Sequence, residues 1–342
     1  MLFRSDGREA KLFEITNNSG ISVKITNYGG IITSIEMPDK KENIENIVCG
    51  FSHLNDYLNE DYLASYAYFG AVLGRFAGRI SKGHLEIGGK SYALNTNSGQ
   101  NHLHGGDRGF DKQIWEADFF QKDNAAGVKF LYHSRHLEEN YPGNLDVTCI
   151  YTLTNYNELT IEYTAVTDNT TVVNLSNHTY FNLTAGREDI LNHELKLAAD
   201  KITEMSNHIP TGSIISIIDS PLDFSEYKKF ARDLKKLPAG YDENFVLENK
   251  PGELKYAGTL REKTSGRNVE VFTTQPLLQV YTGYWIPEIE IDGKKKFGRY
   301  SGVALVTQHY PDSMHHPNFP TTLLYPGKIY SEKTVYRFSI NT

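Results

Sequence analysis

The sequence lacks the features that define several large classes of protein. Its 342 residues include only two cysteines, Cys49 and Cys149, too few for a disulfide framework or a zinc motif. No stretch of about 18 apolar residues occurs, so we expect no transmembrane helix. The opening residues MLFRSDGREAKLFEI contain no long apolar segment of the kind found in secretory signals. These absences predict a cytoplasmic protein in a reducing compartment.

An excess of positive charge is also missing. The formal net charge is −7, which argues against nucleic acid or an anionic membrane as the main partner. A neutral small molecule or a protein partner would fit this charge equally well. No GxSxG, P-loop or convincing GxGxxG motif is present. Since no linker, charge block or low-complexity tract interrupts the chain, we predict one domain over residues 1–342.

Alternation of apolar and polar residues with a period of two is abundant. It is clear in KLFEITN (11–17), ISVKITNYGG (21–30) and IITSIEMPD (31–39), and it recurs to the end of the chain. The stretch GHLEIGGKSYAL (83–94) has two such runs separated by Gly88-Gly89, a hairpin signal. The 22 Tyr and 17 Phe favour strands but also suit sugar pockets. The pattern predicts an all-β fold, a large antiparallel β-sandwich.

Helical patterns are few. SHLNDYL (52–58) has Ser52 as a candidate N-cap. SEYKKFARDLKKL (225–237) has Ser225 in the same role and apolar residues near helical spacing. We therefore expect two short helices in a protein that is otherwise built of strands.

Two polar stretches in the first third of the chain contain candidate functional residues. In FGAVLGRFAGRISKG (69–83), Arg75 and Arg79 either enter a site or form ordinary ion pairs. In NHLHGGDRGFDKQIW (101–115), His102 and His104 would share one face of a strand. Such a pair could bind a metal, but no carboxylate or cysteine is adjacent. One structural and one exposed histidine is the alternative.

Three further polar stretches lie at expected strand ends. NLSNHTYFNL (174–183) fits either a polar pocket around His178 or a strand end with hydrogen-bonded core amides. In GYDENFVL (240–247), Asp242 could be a site residue or a turn residue. GVALVTQHYPDSMHHPNFP (302–320) begins as an apolar strand and ends in a polar cluster. The residues alone therefore indicate histidine-assisted acid–base chemistry, or binding, on a neutral polar ligand such as a sugar.

Taken together, these stretches resemble the aldose 1-epimerase (galactose mutarotase) family. The resemblance covers nearly the whole chain and implies the large antiparallel sandwich called a supersandwich. It implies interconversion of the α and β anomers of a free aldose, with no cofactor and no metal. It rests on the following segments, which occur in that family's order: NYGGIITSIEMPD, GAVLGRFAGRISKG, NHLHGGDRGFDKQIW, NLSNHTYFNL, YDENFVL, LQVYTG and TQHYPDSMHHPNFPTTLLYPG.

The resemblance also implies roles for individual residues. His178 matches the histidine that acts as the acid toward the ring oxygen, and histidine suits this task because its unperturbed pKa is about 6.5. His104 matches a second catalytic histidine in the same region of the sugar. The expected sugar-binding residues are Arg79, Asp242, Gln279 and Asn177.

Two positions depart from the family pattern. Gly78 stands where an asparagine is usual before the arginine, which removes one sugar hydrogen bond. Val306 stands where the family has the glutamate that acts as catalytic base, a group that contributes about 10²–10⁴-fold to rate. Glu288 and Glu290 are the candidate replacements, with exposed loop residues as the alternative. His309 should face away from Val306 if the strand is regular.

We therefore expect an aldose 1-epimerase acting on a galactose- or glucose-type aldohexose, with weak activity or a relocated base. The alternative is a catalytically impaired carbohydrate-binding protein of the same fold. An epimerase of phosphorylated hexoses would need more positive charge than Arg75, Arg79 and Arg108 provide. The preferred sugar and the oligomeric state are not indicated by the sequence.

Overall fold

The computed structural model describes residues 9–64, 66–291 and 294–341, with the side chains of residues 294 and 295 left out. Strands dominate this part of the chain, and its single α-helix, α1, is short (Glu60–Ala64). Within the described helices, none is long and apolar enough to cross a membrane.

The strands follow one another closely along the chain. In chain order they are β1 (Leu12–Thr16), β2 (Ser22–Thr26), β3 (Ile32–Pro38), β4 (Ile44–Asn46), β5 (Val72–Leu73), β6 (Arg79–Ile80), β7 (His84–Ile87), β8 (Lys90–Ala93), β9 (His102–Leu103), β10 (Glu116–Lys122), β11 (Ala125–Ser134), β12 (Leu145–Thr154), β13 (Glu158–Thr167), β14 (Thr171–Val172), β15 (Ser176–Asn177), β16 (Tyr180–Phe181), β17 (Glu194–Leu197), β18 (Lys201–Ser206), β19 (Ile209–Ser216), β20 (Lys228–Lys229), β21 (Asp242–Val246), β22 (Lys255–Arg261), β23 (Arg267–Thr273), β24 (Leu277–Tyr281), β25 (Ile289–Ile291), β26 (Lys294–Phe297), β27 (Val303–Gln308), β28 (Leu323–Leu324) and β29 (Tyr330–Ile340).

Short 3₁₀ turns connect several of the strands. They are Leu54–Leu58, Ser81–Gly83, Phe110–Lys112, Glu138–Asn140, Ile190–Asn192, Phe230–Arg232, Leu234–Lys236 and Ser313–His315.

Three larger sheets organise these strands. The first has nine strands in the order β10-β11-β12-β13-β29-β23-β22-β17-β20. The second has six, in the order β16-β27-β24-β21-β18-β19, and the third has four, β1-β2-β3-β4. Neighbouring strands in all three sheets are antiparallel. The predicted all-β, antiparallel β-sandwich is confirmed.

Period-two alternation gives the six-stranded sheet two different faces. Val303 and Leu305 of β27 belong to the main apolar core, which also contains residues of the nine-stranded and four-stranded sheets. Ala304 and Val306, one residue out of phase, belong to a second apolar cluster with Tyr180. Because successive side chains point to opposite faces of a strand, one face supports the core and the other is available for a site.

The hairpin at residues 83–94 forms as predicted, since β7 and β8 pair across Gly88 and Gly89. Both glycines have positive φ, 59° and 76°. A two-residue turn with positive φ at both central positions matches the twist of the flanking strands, and glycine adopts it without strain.

The helix expected over residues 225–237 is wrong. Lys228 and Lys229 instead pair with β17 at the edge of the nine-stranded sheet, and two separate 3₁₀ turns follow. Lys228 is buried, and its ammonium donates to the Pro221 carbonyl at 2.6 Å. Sheet pairing and this tertiary contact override the helical spacing. At 52–58 the helical turn begins only at Leu54 and is of the 3₁₀ type.

Candidate functional site

Three neighbouring strands of the six-stranded sheet, β21, β24 and β27, present a group of polar side chains on one face. Gln279 lies between Asn244 and Val306, and in the next row Tyr281 lies between Asp242 and Ala304. Directly opposed residues of antiparallel strands project on the same side. We call this side, opposite to the main core, the site face.

A chain of amide hydrogen bonds crosses the site face. The Gln308 amide nitrogen donates to Asn244 Oδ1 at 2.8 Å and to Gln279 Oε1 at 3.3 Å. The Gln279 amide nitrogen in turn donates to Asp242 Oδ1 at 2.7 Å. Gln308 donates, Gln279 both accepts and donates, and Asp242 accepts, so the chain holds the Asp242 carboxylate in one orientation.

Burial and neighbouring groups act in opposite directions on Asp242. Burial raises the pKa of its carboxyl, while the Gln279 bond and the charges of Arg79 and His208 lower it. Its second oxygen lies 3.9 Å from His208 Nδ1, at the exposed rim of the site. Next along the chain, burial followed by the Asp242 charge raises the pKa of Glu243 to about 7.

His104 is held by a reciprocal pair of hydrogen bonds with Gly78. The His104 backbone N–H donates to the Gly78 carbonyl at 3.0 Å, and the Gly78 N–H donates to His104 Nδ1 at 3.0 Å. Because Nδ1 accepts, the proton of the neutral imidazole is assigned to Nε2. His104 has a φ of 51°, and burial first, then His178 and Arg79, lowers the pKa of its imidazole well below 6.5.

His178 lies beside His104, with the two ring centroids 5.4 Å apart. Its backbone is fixed by a bond to the Ala71 carbonyl at 2.9 Å, and its ring packs against Tyr180 at 4.8 Å. Burial lowers the pKa of His178 to about 4. Within the described residues its buried Nδ1 has no hydrogen-bond partner, so this ring keeps hydrogen-bonding capacity unused by the protein.

The charge of Arg79 acts on the pKa values of both His104 and Asp242. Burial lowers the pKa of its guanidinium, and the charge of Asp242 opposes that shift. Its backbone carbonyl accepts from the Asp312 N–H at 3.0 Å, which ties β6 to the loop that follows β27. Among the described residues, the Arg79 guanidinium makes no hydrogen bond or ion pair with the protein. A partly buried and uncommitted cation is suited to a polar ligand.

The two positions at which we expect a departure from the family pattern, residues 306 and 78, border this group. Val306 is fully buried next to Gln279 and is part of an apolar cluster with Tyr180 and Ala304. Gly78 has φ 82°, and a Cβ there would lie 2.8 Å from Pro311 Cγ and 3.6 Å from Gln308 Oε1. A side chain at residue 78 would therefore have to displace Pro311.

Asn177 does not join the site residues. Its amide nitrogen donates to the Gly70 carbonyl at 2.8 Å and to the Tyr151 hydroxyl at 3.3 Å. Its Oδ1 accepts from both the N–H and the hydroxyl of Thr179. Asn174 and Asn182 are likewise engaged with backbone groups. For these three amides the structure matches the alternative of a strand end with hydrogen-bonded core amides.

The histidine pair expected on one strand face is separated. Positive φ at His104 ends β9 after Leu103, so the two side chains diverge. The His102 ring is buried between the Asn95 carbonyl, 2.7 Å from Nδ1, and the Tyr141 hydroxyl, 2.6 Å from Nε2. In the described part of the chain, no group of three His, Cys, Asp or Glu side chains is arranged to hold a metal ion.

Arg75 and His309 make contacts away from the site face. Arg75 is buried and donates to several carbonyls, among them Pro142 and Gly143. His309 points toward Glu332 of β29, 3.6 Å from its carboxylate, and so away from Val306 as expected. The side chains of Glu288 and Glu290 are exposed.

Sequence reasoning missed Asn244, Tyr281, Glu243 and His208. A period-two signal could have found the first two, since Asn244 follows Asp242 by two residues and Tyr281 follows Gln279 by two. The position of His208 near Asp242 could not have been predicted this way. His208 lies in the turn between β18 and β19, and it comes close to Asp242 because β18 pairs with β21.

Comparison with known proteins agrees with this architecture. The family model for aldose 1-epimerase matches residues 11–337. Galactose mutarotase from Mus musculus is 39% identical over 341 residues, covering 98% of this chain and 96% of the relative. Aldose 1-epimerase from Escherichia coli is 31% identical, covering 97% and 96%.

Solved structures give the same result. An aldose epimerase homologue from C. elegans superposes with a TM-score of 0.87 at 25% identity, covering 98% of this chain and 100% of that one. Galactose 1-epimerase from Lactobacillus acidophilus gives a TM-score of 0.86 at 26% identity, covering 100% and 98%. From its sequence and its fold alike, this chain belongs to the aldose 1-epimerase family.

Proposed function

We propose that this protein interconverts the α and β anomers of a galactose- or glucose-type aldohexose by acid–base ring opening, at a low rate. Its relatives are named galactose mutarotase and aldose 1-epimerase, and its site offers the groups that such chemistry requires. The observation that carries the proposal is the grouping of two adjacent buried histidines with an uncommitted Arg79 and an oriented Asp242.

Anomer exchange requires two coupled proton transfers. A base removes the proton from the C1 hydroxyl while an acid protonates the ring oxygen, so that the C1–O5 bond breaks and C1=O1 forms. Rotation about C1–C2 and the reverse transfers then close the ring on the other face. We assign the acid toward the ring oxygen to His178 with His104 beside it, and the sugar hydroxyls to Arg79, Asp242 and Gln279. Solvent water takes the C1 hydroxyl proton in place of a side-chain base, which is why the proposed rate is low.

The protonation states of the free protein predict slow chemistry. With a pKa of about 4, His178 carries a second proton in roughly one molecule in a thousand at pH 7. The buried imidazole therefore acts first as a neutral hydrogen-bonding group. It becomes an acid only when a bound sugar stabilises the imidazolium.

Val306 supplies no proton acceptor where the family resemblance predicts the base. The oxygen acceptors on the site face include Asp242, the amides and the Tyr281 hydroxyl, and the carboxylate is held by Gln279. This arrangement supports a second candidate function, a sugar-binding protein with little or no turnover. The fully buried, apolar environment of Val306 is the observation that favours it.

Polarimetry of freshly dissolved α-D-galactose and α-D-glucose tests the proposal. We expect the wild-type protein to accelerate equilibration over buffer, and His178→Asn to abolish the acceleration. Val306→Glu should raise the rate by about 10²–10⁴-fold. Val306→Gln is the matched control, because it adds the same bulk and polarity without a carboxylate.

The two candidate functions give different results. If wild type does not exceed buffer while Val306→Glu does, and calorimetry detects galactose binding, the protein binds sugar without turning it over. If neither protein exceeds buffer and no sugar binds, both candidates are wrong.

A further inference from the structure

The outer edge of the six-stranded sheet is formed by β19, and within the described residues no strand pairs with that edge. Residues 209–218, with the sequence IPTGSIISII, contain no charged side chain. Three of their isoleucines are exposed: Ile214 by 41%, Ile215 by 40% and Ile218 by 61%. Isoleucine is among the residue types most often buried. An exposed, apolar edge strand is a typical site for pairing with another chain.

The other edges of the three larger sheets are protected against such pairing. Charged side chains on an edge strand discourage association with a second strand, and so does a very short edge strand. Of the five other edge strands, β16 has only two residues, both buried. The remaining four carry charged residues, namely Glu14 of β1, Glu45 of β4, Glu116, Asp118 and Lys122 of β10, and Lys229 of β20. The edge at β19 therefore differs from the others in having no such protection.

Backbone hydrogen bonds show which groups of β19 face outward. The N–H of Ile217, just after the strand, donates inward to the Asp200 carbonyl at 2.9 Å. In an antiparallel pair, the backbone groups of successive residues point alternately toward the partner strand and away from it. The N–H and C=O groups of Ile214 and Ser216 therefore face away from β18. They are available to a second strand.

The free part of this edge is limited at one end. The Asn318 side chain donates to the Gly212 carbonyl at 2.7 Å, and a Cβ on Gly212 would lie 2.8 Å from His316 Nδ1. The loop after β27 therefore covers the beginning of β19. The outward-facing groups that remain are centred on Ile215.

We propose that two copies of this chain form a dimer by antiparallel pairing of their β19 edges, with the two-fold axis at Ile215. Ile214 of one copy then exchanges two backbone hydrogen bonds with the partner's Ser216, and the symmetric pair does the same. The two Ile215 side chains lie opposite each other at the axis. No charge on this edge opposes the contact, although each chain carries a net charge of −7. Because both copies use the same edge, the association closes at a dimer.

The proposed contact is small and lies away from the sugar site. One pair of short strands with a few isoleucines is at the low end of interface size, so we expect a dissociation constant in about the micromolar range. In the sheet, β18 and β21 separate β19 from β24, which carries Gln279. Association is therefore independent of the proposed function.

Analytical ultracentrifugation of the full chain tests the dimer. We expect wild type to shift from monomer to dimer between about 1 and about 100 µM. Ile215→Lys and Ile215→Glu should each weaken association at least about tenfold, because like charges would meet at the axis. Phe119→Lys is the matched control, since Phe119 is 53% exposed on the edge strand β10. It should leave the dimer unchanged.

An equimolar mixture of the two charged variants provides a second test. We expect Ile215→Lys mixed with Ile215→Glu to recover dimerisation, because opposite charges then face each other at the axis. Recovery requires both variants to be folded, so it excludes misfolding as the reason for their separate loss of association. Both variants should also keep the polarimetric rate of wild type.

Three outcomes would overturn the proposal. If wild type stays monomeric at about 100 µM, the edge does not associate at the strength expected for such a contact. If wild type forms a dimer that both Ile215 variants retain, a different surface joins the copies. If each variant is monomeric and their mixture is monomeric too, the two strands do not meet at Ile215.

Discussion

At the scale of single residues, the site depends on amides whose orientation is set by other amides. Gln308 is fully buried, and its two hydrogen bonds fix Asn244 and Gln279. Gln279 in turn fixes Asp242. Gln308 therefore acts on the carboxylate through Gln279, as a positioning residue.

Gln308→Met is expected to weaken galactose binding. It preserves the volume and removes the donor, so that the buried Asn244 Oδ1 and the half-buried Gln279 Oε1 lose their partner at a cost of about 1–3 kcal/mol. Calorimetry and urea unfolding would measure both effects. Gln275→Met is the matched control, since Gln275 is a buried amide that bonds to the Leu175 carbonyl and the Tyr330 hydroxyl. The Gln275→Met variant should lose a similar amount of stability and keep its affinity for galactose. Equal losses of affinity in the two variants would contradict the positioning role of Gln308.

Gly105→Ala is expected to damage both the fold and the site. Its φ is 95°, and a Cβ would lie 1.8 Å from the Gly74 carbonyl oxygen. The backbone next to His104 would therefore have to move, at a cost above about 3 kcal/mol. Gly99→Ala is the control that measures backbone strain without a clash. Gly99 also has a positive φ, 61°, but no atom lies within 4 Å of an added Cβ. Urea unfolding should give a loss of about 1–2 kcal/mol for Gly99→Ala, and equal losses would exclude the clash.

At the scale of elements, one buried arginine joins two sheets. Arg267 of β23 is fully buried and donates to groups at the edge of the four-stranded sheet and in the segment after β16. Those groups are the carbonyls of Met37, Pro38, Asn43 and Leu183, and the carboxylate of Glu45. All three nitrogens of the planar guanidinium donate, to four backbone carbonyls and one carboxylate, so the strand positions depend on the shape of this side chain.

Arg267→Lys is expected to destabilise the protein by about 3–5 kcal/mol. The ammonium has three donors and a different shape, so several buried carbonyls would be left unpaired. Chemical denaturation would measure the change. Arg337→Lys on the adjacent β29 is the control, because the Arg337 side chain is 46% exposed and its ion pairs contribute less than about 1 kcal/mol. Similar losses in both variants would show that the fork geometry is unimportant.

At the scale of the whole molecule, burial of histidines makes stability depend on pH. Burial lowers the pKa of His102, His178 and His193 to about 4 in each case. In the unfolded chain these groups bind a proton near pH 6.5. Between pH 6.5 and 4 the unfolded state therefore holds more protons, and the folded state loses stability as the pH falls.

We expect the free energy of unfolding to decrease as the pH is lowered from about 6.5 toward 4. Glu243 opposes this trend, because its raised pKa of about 7 makes the folded state bind its proton first. Burial also raises the pKa of Asp111 and Asp242 and lowers the pKa of His104, so four histidines act against three carboxyl groups. Urea unfolding at pH 7, 6 and 5 would measure how steeply the free energy of unfolding changes with pH. The variant His193→Asn, which lies away from the site face, should reduce this slope by up to about 1.4 kcal/mol per pH unit. An unchanged slope in His193→Asn would contradict burial as the cause.

Strands and turns that depend on local chemistry can be predicted from the sequence. Alternation in ISVKITN gave β2, and Gly88-Gly89 gave the turn between β7 and β8. Both are local effects, because side-chain period and glycine φ depend on neighbouring residues only. His178, Asp242 and Gln279 were found through family resemblance, and the structure lays Asp242 and Gln279 side by side on paired strands.

Tertiary structure alone decided which polar groups remain free for a ligand. The sequence places Asn177 beside His178, yet Gly70, Tyr151 and Thr179 occupy the whole of its amide. The helical spacing of residues 225–237 was overridden by pairing with a distant strand. Hydrogen-bond partners and strand pairing join residues far apart in the chain, so no local pattern encodes them.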